Sequence, residues 1–328
     1  MILWCQAHLS SLYGVLELFT LLGEELFYMA LMPLIYWCWH RATGLRLLAV
    51  ISLSSYTNAL LKWCLHSPRP YWYEPAVEGL RGEDSFGPPS GHSQNAVTFW
   101  GYIAATIRRY RDWKWVWPAF VVLAFLISFS RMLLGVHFPH GLLLGWTAGG
   151  IFLFVFWKFA PRFEAWFQQL GTAEAVLASV AGSLGMLLLA VMLGPALAAA
   201  NPLDPTLIAN AAADQPDKSI YPFSLMGPVS FAAVLGGLGV GATLMRRTAS
   251  FSSGGSYGLR AARYLVGMVG LIAIYASGKL VPADAGCTAE VAFRYLRYFA
   301  MMLWAIWLAP LLFLKLKLAA PAGAGDES

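Results

Sequence analysis

Three short segments carry side chains that could do chemistry together. The first is Lys62-Trp63-Cys64-Leu65-His66-Ser67-Pro68-Arg69-Pro70, the second Pro89-Ser90-Gly91-His92, and the third Ser130-Arg131, followed six positions later by His137. Lys62, Arg69 and Arg131 supply three positive charges, a match for a dianionic phosphate. Arginine forks bind phosphate oxygens in pairs, while lysine acts as a point charge. Ser90 and Gly91 stand where a helix is expected to begin, and the first amides of a helix lack internal partners and point at an anion. Gly91 lets the backbone approach a ligand closely. His92 and His137 can then serve as an acid and a nucleophile without a metal. Taken singly, each residue has a plainer reading, such as a snorkelling cation at a span end or a turn that caps a helix. Their occurrence together, in order and on one side, favours a site.

The elements that must position them are apolar. Of 328 residues 59% are hydrophobic and only 12% charged, against about a quarter charged in a soluble protein. The apolar residues come in runs of roughly 20, the length that crosses a bilayer core. Nine candidate spans follow, at 21–39, 44–62, 91–107, 115–134, 141–159, 174–194, 223–245, 262–280 and 293–314. The expected fold class is all-α, a polytopic transmembrane helical bundle, and a large soluble protein with buried helices is set aside. Arg131 and His137 would face different ways on one continuous helix, but Gly135 and Pro139 allow the chain to break and turn between spans. The four cysteines, Cys5, Cys38, Cys64 and Cys287, have neither metal-ligand spacing nor the density of a disulfide framework. Met1–Thr20 lacks a basic leader and a cleavage site, so it is read as retained and as lying along the interface.

Alternating the loops with the N-terminus outside places 14 of the 22 Lys and Arg residues on the inner side, among them Arg108, Arg109, Arg111, Arg246 and Arg247. The positive-inside rule then puts the N-terminus outside, the C-terminus in the cytoplasm and all three segments on the outer face. The expected organisation is a catalytic core at 1–160, additional transmembrane helices at 161–318 and a disordered tail at 319–328. Ala249–Gly258, rich in Ser and Gly, is expected to be a flexible cytoplasmic loop. Glu74–Gly87 reads as a solvated surface loop rather than a lid. Tyr71-Trp72-Tyr73 reads as an interfacial aromatic belt rather than a stacking platform. Arg294 and Arg297 read as snorkelling cations.

The motif segments resemble the signature of the type-2 phosphatidic acid phosphatase superfamily: Lys-x6-Arg-Pro, then Pro-Ser-Gly-His, then Ser-Arg-x5-His-x3-Asp. The match runs over residues 62–141. The resemblance implies that His137 attacks phosphorus to form a phosphohistidine. It implies that His92 protonates the leaving oxygen and then helps water cleave the intermediate. Lys62, Arg69, Ser90, Gly91 and Arg131 would hold the phosphate and its transition state. One position departs: Gly141 stands where the family has the Asp that orients the nucleophile, and His140 is its candidate substitute. The run His137-Phe138-Pro139-His140 and the pair Lys62-Trp63 look like the glucose-6-phosphatase branch, which also lacks that Asp, has nine spans and places its N-terminus in the lumen. Vanadium haloperoxidases share a similar anion site, but nine spans argue against them.

The expected activity is hydrolysis of phosphate monoesters at the outer face of a plasma or inner membrane, on lipid phosphates first. The alternatives are sugar phosphates, or a lipid-phosphate binder with little turnover. No cofactor and no metal are called for. The expected partners are a phosphorylated lipid or other small phosphoester and the bilayer itself, with no nucleic acid.

Overall fold

The computed structural model describes residues 1–248, 250–280 and 287–322. Among these the secondary structure is helical, apart from an isolated bridge between Phe251 and Pro321. In chain order the helices are α1 (Ile2–His8), α2 (Tyr13–Leu21), α3 (Glu25–Cys38), α4 (Arg41–Leu65), α5 (Pro70–Tyr73), α6 (Gly91–Asn95), α7 (Gly101–Tyr110), α8 (Val116–Leu133), α9 (Pro139–Gln169) and α10 (Thr172–Ala200). They continue as α11 (Pro205–Asp214), α12 (Met226–Thr248), α13 (Tyr257–Ala276), α14 (Cys287–Leu303) and α15 (Ala309–Lys315).

Seven stretches are long and apolar enough to cross a bilayer: Arg41–Tyr73, Val116–Leu133, Pro139–Gln169, Thr172–Ala200, Met226–Thr248, Tyr257–Lys279 and Cys287–Lys315. The bent pair Ser10–Leu21 and Glu25–Cys38 adds an eighth if it is one broken span. The chain is an integral membrane protein. On α10, Leu177, Leu184, Leu188 and Met192 are exposed, as suits a face toward lipid rather than water. The expected run at 91–107 is helical, continuous over 91–110, but is not apolar enough to count among these spans. It opens on Gly91, His92, Ser93, Gln94 and Asn95 and then passes through a π-helical turn, Ala96–Trp100, a feature that often marks a functional position.

The chain divides into two compact units. One comprises Met1–Phe27, Ser54–Lys158 and Ala190–Leu225; the other comprises Tyr28–Leu53, Phe159–Leu189 and Met226–Ser328. The first unit has a core of Ile2, Cys5, Leu16, Tyr71, Trp72, Val77, Phe86, Leu133, Val136 and Leu142, among others. That core revises two expectations. The N-terminal stretch buries part of its apolar face inside the unit. Tyr71 and Trp72 are core residues at 1% and 0% exposure, and only Tyr73 is open. Van der Waals packing on every side holds them better than a bilayer interface would.

The 74–87 loop is also not simply solvated. Gln6 Nε2 donates to the Glu78 carbonyl at 2.7 Å, Gly79 N donates to the Asp214 carboxylate at 3.0 Å, and Gln215 Nε2 donates to the Gly79 carbonyl at 2.6 Å. Tyr71 Oη donates to the Glu83 carbonyl and accepts from Glu83 N, both at 3.0 Å. Its backbone polar groups are thus satisfied by protein, which fixes a segment whose composition suggested hydration.

In the second unit α12 packs on α14 through small residues; a Cβ on Gly237 would lie 2.6 Å from the Phe299 carbonyl, so the two backbones touch. Arg294 Nε donates to Ser230 Oγ at 2.7 Å, and both Arg294 and Arg297 lie over the Tyr298 ring. The Ser/Gly loop expected to be flexible is tied down. Arg263, fully buried, donates to the carbonyls of Ser252, Ser253 and Gly254 at 2.6, 2.9 and 2.6 Å. Ala249 and residues 323–328 of the expected tail lie outside the described residues. Ala320 accepts from Ser252 N and Ala322 N donates to the Ser250 carbonyl, each at 2.9 Å.

Candidate active site

The expected residues all stand at helix ends of the first unit. Lys62 is in the last turn of α4, and Arg69 is the extended residue before α5. Ser90 caps α6, accepting from Ser93 N at 3.3 Å, and Gly91 is the first residue of that helix. Arg131 lies in the last turn of α8. The chain then breaks as the glycine and proline suggest: α8 ends at Leu133, Gly135 takes φ +71°, and α9 starts at Pro139. A Cβ at Gly135 would overlap the Glu78 carbonyl, so only glycine fits. This turn carries His137 back toward Arg69.

A buried polar network sets the two polar walls against each other. Asn58 Nδ2, one turn before Lys62 on α4, donates to Gln94 Oε1 at 2.9 Å and to the Pro89 carbonyl at 3.2 Å. Gln94 Nε2 donates to the Ser54 carbonyl at 2.9 Å, Ser54 Oγ donates to Asn95 Oδ1 at 2.9 Å, and Asn95 Nδ2 donates to Ser55 Oγ at 3.0 Å. Satisfied polar groups in an apolar surround specify one arrangement, because slipping either helix leaves them unpaired. The network therefore locks Lys62 in register with Ser90, Gly91 and His92. Ser90 N donates to the Gly141 carbonyl at 2.9 Å, which ties in the start of α9.

Three cations meet in this space, and all are nearly enclosed: Lys62 at 9% exposure, Arg69 and Arg131 at 0%. They share two residues of the 74–87 loop. Ser85 Oγ accepts from Lys62 Nζ at 3.0 Å and from Arg69 Nη2 at 3.1 Å, and the Ser85 carbonyl accepts from Arg69 Nε at 2.6 Å. The Glu83 carboxylate bridges the other pair, with Oε2 at 3.6 Å from Arg69 Nη2 and Oε1 on Arg131 Nη2. Burial alone would push the Glu83 carboxyl up, but the guanidiniums of Arg69 and Arg131 outweigh it and hold the group below the ordinary carboxylate range. Arg131 still has Nε and Nη1 enclosed and without a partner among the described residues. A buried guanidinium with unused donors is costly unless something anionic comes to it.

The two histidines differ. His137 is 2% exposed, with Nε2 at 3.4 Å from Arg69 Nη1. Burial, then Arg69, Lys62 and Arg131, pull its pKa well below the usual 6.5, so the ring is neutral. Its Nδ1 is enclosed and has no hydrogen-bond partner among the described residues. Where the resemblance would place an Asp there is Gly141, and His140 does not stand in for it, being exposed and stacked on Phe138 at 5.4 Å between ring centroids. His92 instead has a carboxylate beside it: Glu24 Oε1 lies 3.5 Å from Nε2. Among the described residues no group of three His, Cys, Asp or Glu side chains is arranged to hold a metal.

Two family models match the chain, and the first covers this arrangement apart from Glu24. Residues 43–165 match the model of the PAP2 superfamily, and residues 229–321 match that of the PAP2 superfamily phosphatase transmembrane extension. The chain carries a PAP2 superfamily domain with its transmembrane extension. It is 26% identical to human glucose-6-phosphatase 2 over 161 residues, or 40% of this chain and 44% of that protein. It is 29% identical to phosphatidylglycerophosphatase B of Bacillus subtilis over 169 residues, or 49% of this chain and 75% of the relative. Human glucose-6-phosphatase 3 is 27% identical over 178 residues, or 48% and 50%. The chain thus spans about half the length of the glucose-6-phosphatases it matches. No solved structure matches it.

Lys62, Arg69, Ser90, Gly91, His92, Arg131 and His137 all fall inside the PAP2 domain, as do Glu83 and Ser85. Spacing alone does not reveal these last two, because a carboxylate and a hydroxyl in a polar loop look like hydration. A polar residue inside an apolar run, as Asn58 is in α4, was the available sign of the network. Glu24, next to an apolar run and preceding the PAP2 domain, carried the same kind of sign.

Proposed function

We propose that this protein is a membrane-embedded phosphatase that hydrolyses phosphate monoesters, lipid phosphates in particular, through a phosphohistidine on His137. The observation that carries this reading is the enclosed convergence of Lys62, Arg69 and Arg131 beside neutral His137, with two Arg131 donors unspent. The substrate phosphate would take over the Arg69 and Arg131 contacts that Glu83 makes. Arg forks, Lys62 and the first amides of α6 then surround the phosphoryl oxygens as charge builds in transfer. A ring nitrogen of His137 forms the bond to phosphorus as the ester P–O bond breaks. His92 gives its proton to the departing oxygen, then takes one from the water that releases inorganic phosphate and frees His137. No step in this sequence uses a metal.

The PAP2 domain supports the phosphatase reading, and a lipid phosphatase is among the relatives, matched over 75% of its length. The glucose-6-phosphatase relatives, and Gly141 in place of the Asp, favour a second reading: a soluble sugar phosphate as substrate. Counting the bent pair and Gly91–Tyr110 as crossings gives nine spans. With basic loops inside, the N-terminus and the site then face away from the cytoplasm. Residues 1–160 form the catalytic core on this reading, and 161–318 the accessory helices.

Phosphate release by purified protein in detergent, from a panel of lipid and sugar phosphates, tests the proposal. Turnover abolished by His137→Ala is the expected result. Full activity in that variant overturns the mechanism, and no turnover by wild type on any ester points to a binder.

A further inference from the structure

The mechanism gives His92 a proton to deliver but does not say what holds its ring. The structure places a specific group there, from a part of the chain outside the PAP2 match at 43–165. Between α2 and α3 the chain turns at Leu22, Gly23 and Glu24, whose amides donate to the carbonyls of Phe19, Thr20 and Leu21 at 3.2, 3.0 and 3.1 Å. Gly23 lies against the His92 imidazole so closely that a Cβ there would overlap the ring. Glu24 follows, with Oε1 3.5 Å from His92 Nε2.

The turn is anchored on both sides. Thr20 Oγ1, fully buried at the end of α2, shares a 2.7 Å hydrogen bond with Ser130 Oγ, the neighbour of Arg131. On the far side Arg81 Nη2 lies 3.4 Å from the same Glu24 oxygen, and Arg81 Nη1 lies 4.0 Å from Glu17. Burial and Arg131 oppose a charge on His92, and Glu24 and Glu83 favour it.

We infer that Glu24 is the positioning residue for the His92 general acid. Resting on the phosphohistidine reading above, it explains how a chain with no carboxylate on His137 Nδ1 among the described residues still orients one of its two site histidines. A carboxylate at Nε2 keeps a proton on that nitrogen, fixes the ring plane against Gly23 and stabilises the imidazolium. Nδ1 is thereby left to exchange its proton with the leaving oxygen and with water. The carboxylate has moved from the attacking to the departing side of the reaction. Chemical assistance therefore concentrates on substrates whose leaving group is a poor one, such as the alkoxide of a lipid or a sugar.

The leaving group makes this testable. An alkyl phosphate needs protonation as its P–O bond breaks, whereas nitrophenolate departs without it. Glu24→Gln and Glu24→Asp are assayed in the full-length protein against a short-chain phosphatidate and p-nitrophenyl phosphate. Inhibition by inorganic phosphate is measured in parallel. Glu24→Gln is expected to lower kcat/KM, which reports phosphoryl transfer to His137 and not the later attack of water, by about 10- to 100-fold on the alkyl ester, and by at least about tenfold less on the aryl ester. The phosphate inhibition constant should stay within about twofold, because Lys62, Arg69 and Arg131 hold that ion. Glu24→Asp should recover part of the alkyl activity. Equal loss on both esters, or no loss on the alkyl ester, overturns the assignment. Turnover that survives His137→Ala overturns instead the reading on which it rests, and the two failures are told apart because they are read from different variants.

Discussion

A Cβ built on Gly141 lies 3.7 Å from Nδ1 of His137, and that nitrogen is enclosed and without a partner. The same Cβ lies 3.6 Å from Pro88 Cβ, an ordinary contact. An Asp side chain at 141 would therefore reach Nδ1 without displacing backbone. Gly141→Asp is expected to raise kcat by about tenfold, as an added orienting carboxylate should, measured by phosphate release under saturating substrate. An unchanged or lower rate would show that the chemistry does not depend on the tautomer of His137.

Glu83 sits on the guanidiniums of Arg69 and Arg131, which the proposed mechanism gives to the phosphate. Glu83→Gln is expected to tighten inhibition by inorganic phosphate, because a neutral amide competes less well for Arg69 and Arg131. It should also destabilise the unliganded protein, by about 1–3 kcal/mol, since two enclosed cations lose their shared counter-charge. The pH dependence has a definite sign. With its folded value held below the ordinary 4.5, Glu83 binds fewer protons folded than unfolded in the window beneath 4.5. It adds stability above that window and loses it as pH falls through it. Thermal unfolding of wild type between pH 5 and about pH 3 should be steeper with pH than that of Glu83→Gln.

His137 should stay neutral well below the usual histidine value. Burial and the three cations leave the unliganded ring uncharged at pH 6.5. An NMR titration of the imidazole, assigned by comparison with His137→Ala, is expected to show a midpoint below 6.5. A midpoint at or above it would mean that the cations are farther from the ring than described here.

The polar network between α4 and α6 should couple stability to binding. Asn58→Ala leaves Gln94 Oε1 and the Pro89 carbonyl short of a donor in an enclosed place, at a cost of about 1–3 kcal/mol. Thermal unfolding measures this, and a double-mutant cycle with Gln94→Ala should show strong non-additivity. The KM should rise as well, because the same bonds set Lys62 against the start of α6.

Gly135→Ala tests the turn that joins Arg131 to His137. With φ at +71° and the Glu78 carbonyl in the way of a Cβ, the substitution should cost about 1–3 kcal/mol. It should also lower turnover by displacing His137 from Arg69, which unfolding curves and phosphate release would both register.

The all-helical, membrane-spanning class, the helix ends that carry the motif residues and the break between Arg131 and His137 were legible because each rests on a local property. Apolar runs set helices by length, Gly135 and Pro139 end one and begin the next, and the motif spacing puts every site residue at a helix end. The run at 91–107 was read as more apolar than it is, because Phe99, Trp100 and Ile103 outweighed the polar residues that open it. The roles of Tyr71, Trp72 and the 74–87 loop were read wrongly for one reason. Aromatic and acidic residues in a polar setting look interfacial or hydrated until their partners Gln6, Asp214 and Gln215, distant in sequence, are known.

The sequence by itself determined that helices must carry the motif side chains, and that Gly141 stands where the resemblance has an Asp. Only the tertiary structure decided what surrounds those side chains. It brought Glu83 and Ser85 onto the cations, Asn58 onto Gln94, and Glu24 onto His92 across an interval of 68 residues in the chain. Helix and span formation follow from short-range pattern and solvent, which a sequence displays. Counter-charges and orienting carboxylates are chosen by proximity in space, and chain separation says nothing about that until the fold has closed.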